Sequence, residues 1–200
     1  AFGVSSGLGP SAGLYGAIFI SFFAFFTKQS QIAKSSLLMA IVLALPVLGF
    51  VNQALKAKAL PFLHQVSTDT VNPPQFQAVV ALRGDDSNPL TYERTKLESL
   101  QQAAYPELQS IFSELNVEKA FNKALITAQS LGWEVVNINA DIGIIEAVDS
   151  TFIWGFKDDV VIRIQTLEQG SQIDLRSISR LGGTDLGANA ERIKSFIANF

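Results

Sequence analysis

Hydrophobic residues form two long uncharged runs near the start of the chain. The first run extends from Leu8 to Phe26 and the second from Ser36 to Leu55. Each is close to the ~20 residues that a helix needs to cross the core of a bilayer. Lipid offers a backbone no hydrogen-bond partners, so such runs form helices when they span a membrane. The pattern predicts a transmembrane helical hairpin in residues 1–58. Two buried core helices, or a signal peptide followed by one core helix, are the alternatives.

The first run begins with closely spaced small residues, namely Gly7, Gly9, Ser11, Ala12, Gly13 and Gly16. Small residues allow two transmembrane helices to approach closely, so this stretch is a candidate contact with another transmembrane helix. The general tolerance of membrane helices for glycine explains the same pattern equally well.

After residue 58 the hydrophobic pattern changes to short segments with helical and strand periods. Apolar residues recur every three or four positions over Val117–Leu131, which predicts a helix with Asn116 as its N-cap and Gly132 just beyond its end. Strands are predicted at Phe76–Leu82, Trp133–Asn139, Gly143–Ser150, Asp159–Leu167 and Gln172–Ile178, and further helices at Thr95–Ala104 and about Asn189–Phe200.

These elements predict an α+β domain over residues 59–200. A helix, four successive antiparallel strands and a closing helix suggest a two-layer α/β sandwich, with the helices on one face of the antiparallel sheet. In the strand near Asp159, the apolar residues Val160 and Ile162 alternate with a mixed set that includes Val161 and Arg163. This alternation predicts that the other face of the sheet is half-solvated.

Charge divides the chain at the same place. The whole chain has 15 basic and 18 acidic residues, and residues 1–58 contain four lysines but no Asp, Glu or Arg. The remainder therefore carries 11 basic and 18 acidic residues, a net charge of −7. An acidic domain is not a basic nucleic-acid binder. The chain has no cysteine and one histidine, which excludes thiolate and multi-histidine metal sites, and we expect no cofactor.

Lysine placement predicts the orientation in the membrane. Lys28 and Lys34 lie in the connector Thr27–Ser35 between the two runs. The positive-inside rule places this connector in the cytoplasm or stroma, and the domain in a bacterial periplasm or thylakoid lumen. Lys56 and Lys58 count against this orientation, and the uncharged N-terminus favours it.

Several segments of the acidic part resemble the domain of unknown function 1499 family. They include His64–Asp69, which resembles the family's His-Asp-Ile-Thr-Thr-Asp opening, although Gln65 and Ser67 stand where the family more often shows Asp and Thr. The other segments are Asn72–Phe76, Gln102–Pro106, Gly132–Trp133, Ile145–Ala147, Gly155–Arg163 and Gly170–Arg180, followed by Asp185, Gly187, Asn189, Ala190, Arg192 and Ile193. The resemblance covers about residues 61–200. It implies an extracytoplasmic domain behind a membrane segment, and no known reaction.

One polar cluster is the strongest candidate binding site. It consists of Arg176, Ser177, Ser179, Arg180, Asp185, Asn189 and Arg192, with a glycine-containing loop ahead of the last helix. Arginines beside a glycine loop at a helix N-terminus can bind a phosphate or carboxylate. The same residues can instead form a closed structural network. In that network Arg176 or Arg180 would pair with Asp158, Asp174 or Asp185, while Asp185 or Asn189 would cap the helix.

Other candidates are weaker. Asp69, Asp158 and Asp159 offer oxygen ligands for calcium or magnesium, but adjacent aspartates on a strand point to opposite faces. His64 lacks a visible nucleophile and acid, which favours a surface role. A bulky apolar run in a predicted loop could contact a bilayer, a partner or an apolar ligand, and its residues are Phe152, Ile153, Trp154 and Phe156.

These observations favour a non-catalytic accessory or scaffold subunit of a membrane protein assembly. We expect membrane lipids and an integral membrane protein as partners, and no nucleic acid. One alternative is a domain that binds a lipid or a small apolar ligand at the membrane surface. Another is a hydrolase that uses the Arg/Ser/Asp cluster, for which no nucleophile–base pair is visible.

Overall fold

The computed structural model describes residues 15–20, 22–23, 30–151 and 155–200, and the chain divides into two compact units, residues 1–59 and 60–200. In the first unit, helix α1 extends over Ser30–Ala59 and contains Pro46. Its segment Lys34–Asn52 has a mean hydropathy of 2.1 and is long and apolar enough to cross a membrane. Such a helix near an N-terminus also suits a signal sequence.

The predicted hairpin therefore has one candidate span among the described residues. Residues 15–20, 22 and 23 are also helical. The rest of the first predicted run, and residues 27–29 of the predicted connector, lie outside the described residues.

The second unit is an α+β domain built on one antiparallel sheet, as predicted. The strands follow the order β1-β6-β5-β4-β3, and β2 pairs with β6 beside β1. The strands are β1 Gln65–Ser67, β2 Ile111–Ser113, β3 Glu134–Asn139, β4 Ile144–Ser150, β5 Lys157–Thr166 and β6 Ser171–Ser179. The helices are a 3-10 helix at Ala78–Leu82, α2 Arg94–Ala104, α3 Val117–Ser130 and α4 Ala188–Asn199.

Helix α3 begins and ends where the local chemistry predicts. The side chain of Asn116 accepts a hydrogen bond from the backbone N–H of Lys119 (2.9 Å), which satisfies a donor that the first helical turn leaves free. Gly132 follows the helix at φ 80°, a left-handed conformation that suits glycine. Both predicted ends of this helix are confirmed.

One face of the sheet packs against α3 and α4. The strands contribute branched side chains such as Ile162 and Leu175, and α4 contributes Ile193 and Phe196, all of which are fully buried. The ring of Phe196 stacks on Trp133 with 5.8 Å between centroids. This face forms the hydrophobic core of the domain.

The opposite face of the sheet is also buried, so the predicted half-solvated face is wrong. Val161 and Ile178 on this face are 0% exposed, as are the charged residues Glu146 and Arg176. Residues 69–92, which we call the covering segment, lie over this face and bond to its polar side chains.

The predicted strand at Phe76–Leu82 is also wrong, because this stretch belongs to the covering segment and contains a 3-10 helix. The carboxylate of Glu146 accepts hydrogen bonds from the backbone N–H groups of Gln77 (2.7 Å) and Ala78 (2.7 Å). These are free donors at the start of a helical turn, so a buried carboxylate stabilises a 3-10 helix there. The apolar sequence that suggested a strand instead buries Val79 against the sheet.

Candidate functional site

The predicted polar cluster is divided between the two faces of the sheet. Successive strand residues point to opposite faces. Ser177 and Ser179 therefore lie on the helix side of β6, and Arg176 lies on the covered side with Arg180, which follows the strand. The predicted division of these four residues between the faces is confirmed. The structure brings Ser177, Ser179, Asn189 and Arg192 together, and it does not bring Arg176 or Arg180 to them.

Arg192 is the centre of the helix-side group. Its Nη1 donates to Ser177 Oγ (3.0 Å) and to Asn189 Oδ1 (2.8 Å). Its Nη2 donates to Asp158 (2.6 Å) and its Nε donates to Asp149 (2.8 Å). Arg192 is only 8% exposed. All three of its side-chain nitrogens are thus engaged by groups of the domain itself.

Asn189 closes this group from the first turn of α4. Its side-chain oxygen accepts from Ser177 Oγ (2.6 Å), and its Nδ2 donates to Ser179 Oγ (3.0 Å) and to the carbonyl of His64 (3.1 Å). Neither serine hydroxyl bonds to an imidazole or a carboxylate within the described part of the chain. The arrangement ties α4 to β6 and to the strand entry at His64.

Asp185 satisfies the free donors at the start of α4. Its two carboxylate oxygens accept from the backbone N–H groups of Gly187 (2.8 Å) and Asn189 (2.9 Å). Of the two predicted caps, Asp185 accepts these hydrogen bonds, and Asn189 instead lies inside the first turn of the helix. The helix N-terminus is therefore occupied by a carboxylate of the chain.

The covered side holds a second charged group around Asp159, which is 0% exposed. Arg180 donates to both oxygens of Asp159, with a shortest distance of 2.7 Å, and Arg83 donates to Oδ2 of the same carboxylate. Arg180 also donates to the carbonyl of Leu82 (2.7 Å). The predicted ion-pair partners of Arg180 were wrong, because the partner is the aspartate on the same face of the adjacent strand.

Arg176 is buried without a carboxylate partner among the described residues. Its Nε and Nη2 donate to Gln65 Oε1 (3.1 and 2.7 Å), its Nη1 donates to the carbonyl of Pro74 (3.2 Å), and its Nη2 also donates to the carbonyl of Leu90. All three acceptors are neutral. The predicted ion pair of Arg176 is therefore wrong, and its guanidinium joins β1 to both ends of the covering segment.

Two aromatic rings enclose the same guanidinium. Its carbon lies 5.1 Å from the ring centroid of Phe76 and 5.5 Å from that of Tyr92, both within cation–π range. Burial lowers the pKa of Arg176 to about 10, so the group stays protonated at neutral pH. Burial also raises the pKa of Tyr92 to about 12. The hydroxyl of Tyr92 has no hydrogen-bond partner within the described residues.

The aspartates considered as metal ligands do not converge. Asp158 bonds to Arg192 on the helix side, Asp159 bonds to arginines on the covered side, and Asp69 bonds to Arg163 (2.9 Å). Within residues 15–20, 22–23, 30–151 and 155–200, no group of three or more His, Asp or Glu side chains is placed to hold a metal ion.

A small cavity lies at the end of the sheet where β5 begins and β6 ends. Its volume is about 260 Å³, and its lining includes Phe156, Leu181 and Leu186 together with Asp158 and Ser179. Phe156, predicted as an interaction residue, is exposed at this cavity. The other predicted interaction residues, Phe152, Ile153 and Trp154, lie outside the described residues.

The sequence model of one protein family, described as proteins of unknown function (DUF1499), matches residues 65–200. The chain belongs to this family. The match covers β1 to the end of α4 and thus nearly the whole second unit, which we call the DUF1499 domain. A comparison with the curated proteins finds no match.

His64 lies at the entry to the DUF1499 domain and is half-buried. Its Nε2 is 3.3 Å from the side-chain nitrogen of Gln65. The side-chain oxygen of Gln65 accepts a hydrogen bond from Arg176. The amide nitrogen can only donate, so this contact is a hydrogen bond when Nε2 of the imidazole carries no proton. Burial lowers the pKa of His64, and the nearby Arg176 and Arg83 lower it further, against the opposing effects of Asp185 and Glu93.

We expect protonation of His64 to destabilise the domain. Since its folded pKa lies below 6.5, the unfolded chain binds more protons just below that pH. The stability contribution is complete above pH 6.5 and is lost as the pH falls from there through the folded pKa. Urea unfolding in a mild detergent between about pH 5 and 8 measures this slope. His64→Gln should flatten it, and an unchanged slope in that variant would contradict the assignment.

Sequence reasoning missed Glu146, and it did not predict that Asp159 and Arg163 organise the covered face of the DUF1499 domain. All three are charged residues that lie beside apolar residues in β4 and β5. These charged residues are visible in the sequence, but a sheet face exposed to solvent would contain isolated charged residues as well. The partners lie in a segment without strand or helix periodicity, so no pattern links them to the sheet.

Proposed function

We propose that this chain is a membrane-anchored, non-catalytic accessory or scaffold subunit of a membrane protein assembly, with its DUF1499 domain on the extracytoplasmic side. The observation that carries this proposal is the saturation of the candidate site. Within the described residues, the side chains of Arg192, Asn189 and Asp185 already bond to groups of the domain itself. Closed networks of this kind hold a fold in one arrangement.

The membrane anchor is supported by the candidate span Lys34–Asn52. Several of its apolar residues, among them Leu45 and Leu48, are exposed over more than half of their surface. An isolated apolar helix of this length needs lipid or other helices around it. We expect the first apolar run to form a hairpin with α1. We also expect the small residues of this run to contact a transmembrane helix of the partner protein.

The test is extraction of the tagged full chain from its own membrane under native conditions, followed by mass spectrometry. We expect a stoichiometric integral membrane protein. Gly16→Leu should reduce its recovery by obstructing close helix contact, whereas Leu48→Ile should leave it unchanged. A strict monomer without a partner in the membrane would refute the accessory role.

Labelling of single introduced cysteines tests the orientation of the chain in the membrane. No other residue reacts with the label, because the chain has no cysteine of its own. Glu168→Cys lies in the exposed turn between β5 and β6. A membrane-impermeant maleimide should label it from the extracytoplasmic side only, and it should label Thr27→Cys in the connector only after the membrane is opened. The reverse pattern would invert the proposed topology.

A second candidate function, binding of a small apolar ligand, rests on the apolar lining of the 260 Å³ cavity, whose volume is below the ~300–1,000 Å³ of typical ligand sites. Ala188 lines this cavity at the start of α4, and Ala198 is exposed at the other end of the same helix. If the cavity binds apolar ligands, Ala188→Trp should abolish binding of a fluorescent fatty acid and Ala198→Trp should preserve it. Equal binding by both variants would exclude the cavity as the site.

The hydrolase alternative has little support from the geometry. Ser177 bonds to Asn189 and Arg192, and His64 bonds to Gln65. An activated serine requires a base within hydrogen-bond distance.

A further inference from the structure

One end of the DUF1499 domain exposes a group of apolar side chains, which we call the apolar rim. It consists of Phe62, Phe156, Leu181 and Leu186, each more than half exposed. The last three line the 260 Å³ cavity. The ring of Phe62 lies so close to Gly183 that a Cβ at that position would meet it at 2.7 Å. The four side chains thus form one surface.

The backbone of the rim is held in an unusual conformation. Leu186 has φ 53°, in the left-handed region that residues other than glycine seldom adopt. Leu186 is nevertheless 53% exposed, and the loop that carries it is closed by the hydrogen bond from the backbone N–H of Gly187 to Asp185 (2.8 Å). Residues in such conformations cluster at functional sites such as ligand clamps and switch regions.

The rim lies at the end of the domain where the chain enters from α1. The domain begins at Leu60, and the side chain of Leu60 lies beside Gly187 in the loop that carries Leu186. The candidate span ends at Asn52. Even a fully extended chain between Asn52 and Leu60 reaches at most about 30 Å. A span in the bilayer therefore keeps this end of the domain near the lipid surface.

The charges at the rim are compatible with contact with lipid. Asp158 is paired with Arg192, and Asp185 accepts from two backbone N–H groups, so neither carboxylate at the cavity lacks a partner. The sequence beyond residue 58 carries a net charge of −7, which opposes attraction to an anionic lipid surface. The chemistry fits neutral, zwitterionic headgroups.

We propose that the apolar rim inserts into the interfacial layer of a zwitterionic bilayer and docks the DUF1499 domain on the membrane that holds its own helix. This inference rests on the proposed membrane anchor. Apolar side chains stabilise peripheral segments at the boundary between headgroups and acyl chains. The tether supplies a high effective concentration, so a small apolar surface is sufficient.

The experiment uses the full chain in phosphatidylcholine nanodiscs that contain two quencher lipids, one with a doxyl group near the headgroup and one with a doxyl group deep in the acyl chain. Single cysteines carry an environment-sensitive NBD label. Leu181→Cys reports on the rim. Ile142→Cys is the matched control, because Ile142 is 51% exposed in the β3–β4 turn, at the opposite end of the sheet. Leu45→Cys reports on the candidate span.

We expect labels at residues 181 and 45 to shift to the blue and lose most of their fluorescence, to the headgroup quencher and the acyl-chain quencher respectively, and the label at residue 142 to do neither. If residue 45 is quenched and residue 181 behaves like residue 142, the docking proposal is wrong and the anchor stands. If residue 45 is not quenched, the anchor fails, and with it this proposal. A blue shift at residue 181 without quenching would show a protein surface over the rim and would also overturn the proposal.

Leu186→Gly provides a second variant that should fold. Glycine adopts the left-handed conformation without strain, so the substitution removes the apolar side chain without disturbing the loop. We expect quenching at residue 181 to fall in this background, with an unchanged unfolding transition. Undiminished quenching would show that Leu186 takes no part in docking and would contradict the rim as defined here.

Discussion

Replacing Arg176 with alanine is expected to lower the free energy of unfolding by about 3 kcal/mol, because three buried acceptors lose their donor at about 1 kcal/mol or more each. These acceptors are Gln65 Oε1 and the carbonyls of Pro74 and Leu90. The substitution also leaves a void between the rings of Phe76 and Tyr92. The loss follows from the position of one guanidinium between a strand and the covering segment.

Denaturant unfolding of the full chain in a mild detergent measures this loss. Arg94→Ala is the matched control, since Arg94 is an exposed arginine whose partner Glu98 lies one helical turn away. We expect that control to be indistinguishable from the wild type. Arg176→Lys should recover only part of the stability, because an ammonium cannot reach all three acceptors in the fork geometry of a guanidinium. Equal stability of Arg176→Ala and Arg94→Ala would show that the covering segment is held by other contacts.

Replacing Asp159 with alanine is expected to destabilise the domain by about 3–5 kcal/mol, the typical loss when one partner of a buried ion pair is removed. Asp159 is fully buried, and the side chains of Arg83 and Arg180 are only 6% and 12% exposed. Without the carboxylate, two guanidinium groups face each other with little water to solvate them. The same unfolding measurement applies, with Asp141→Ala as an exposed control.

A second substitution separates this explanation from simple loss of packing. If repulsion between the arginines causes the loss, Arg83→Met should restore part of the stability in the Asp159→Ala background, although it destabilises the wild type. Purely additive effects of the two substitutions would mean that the three side chains do not act as one network.

The sequence predicts those parts of the fold that have a strong period. The helix Val117–Ser130 has six apolar positions in register and two caps, and the strands β3 to β6 each have six residues or more. Strands β1 and β2 have three residues each, which is too short for any alternation to be visible. They form because β5 pairs with one side of β6 only, and the other side offers β1 and β2 a strand to pair with.

The covered face could not be predicted because its partners are distant in sequence and irregular in structure. Glu146 bonds to a segment nearly 70 residues earlier, and Arg176 to carbonyls 86 and 102 residues away. A charged residue in a strand is typical of a solvent-exposed position. Only the three-dimensional structure shows that a segment with little regular structure replaces solvent as the partner of this face.

The alternation of side chains along a strand explains why the polar cluster looked like one site. Arg176, Ser177, Ser179 and Arg180 are adjacent in sequence, and a glycine-containing loop follows them. Successive residues of a strand point to opposite faces, so the sheet separates their side chains. Two structural networks on opposite faces of the sheet therefore resemble one binding motif in the sequence.

The side of β1 that faces away from β6 bonds to a side chain instead of another strand. Gln101 from α2 accepts a hydrogen bond from the backbone N–H of Ser67 (2.9 Å) and donates to its carbonyl (2.6 Å), as a neighbouring strand would do. An open sheet edge is a template for pairing between molecules and thus for aggregation. Because one amide occupies both backbone groups of Ser67, another chain could pair with the sheet at this position only by displacing Gln101.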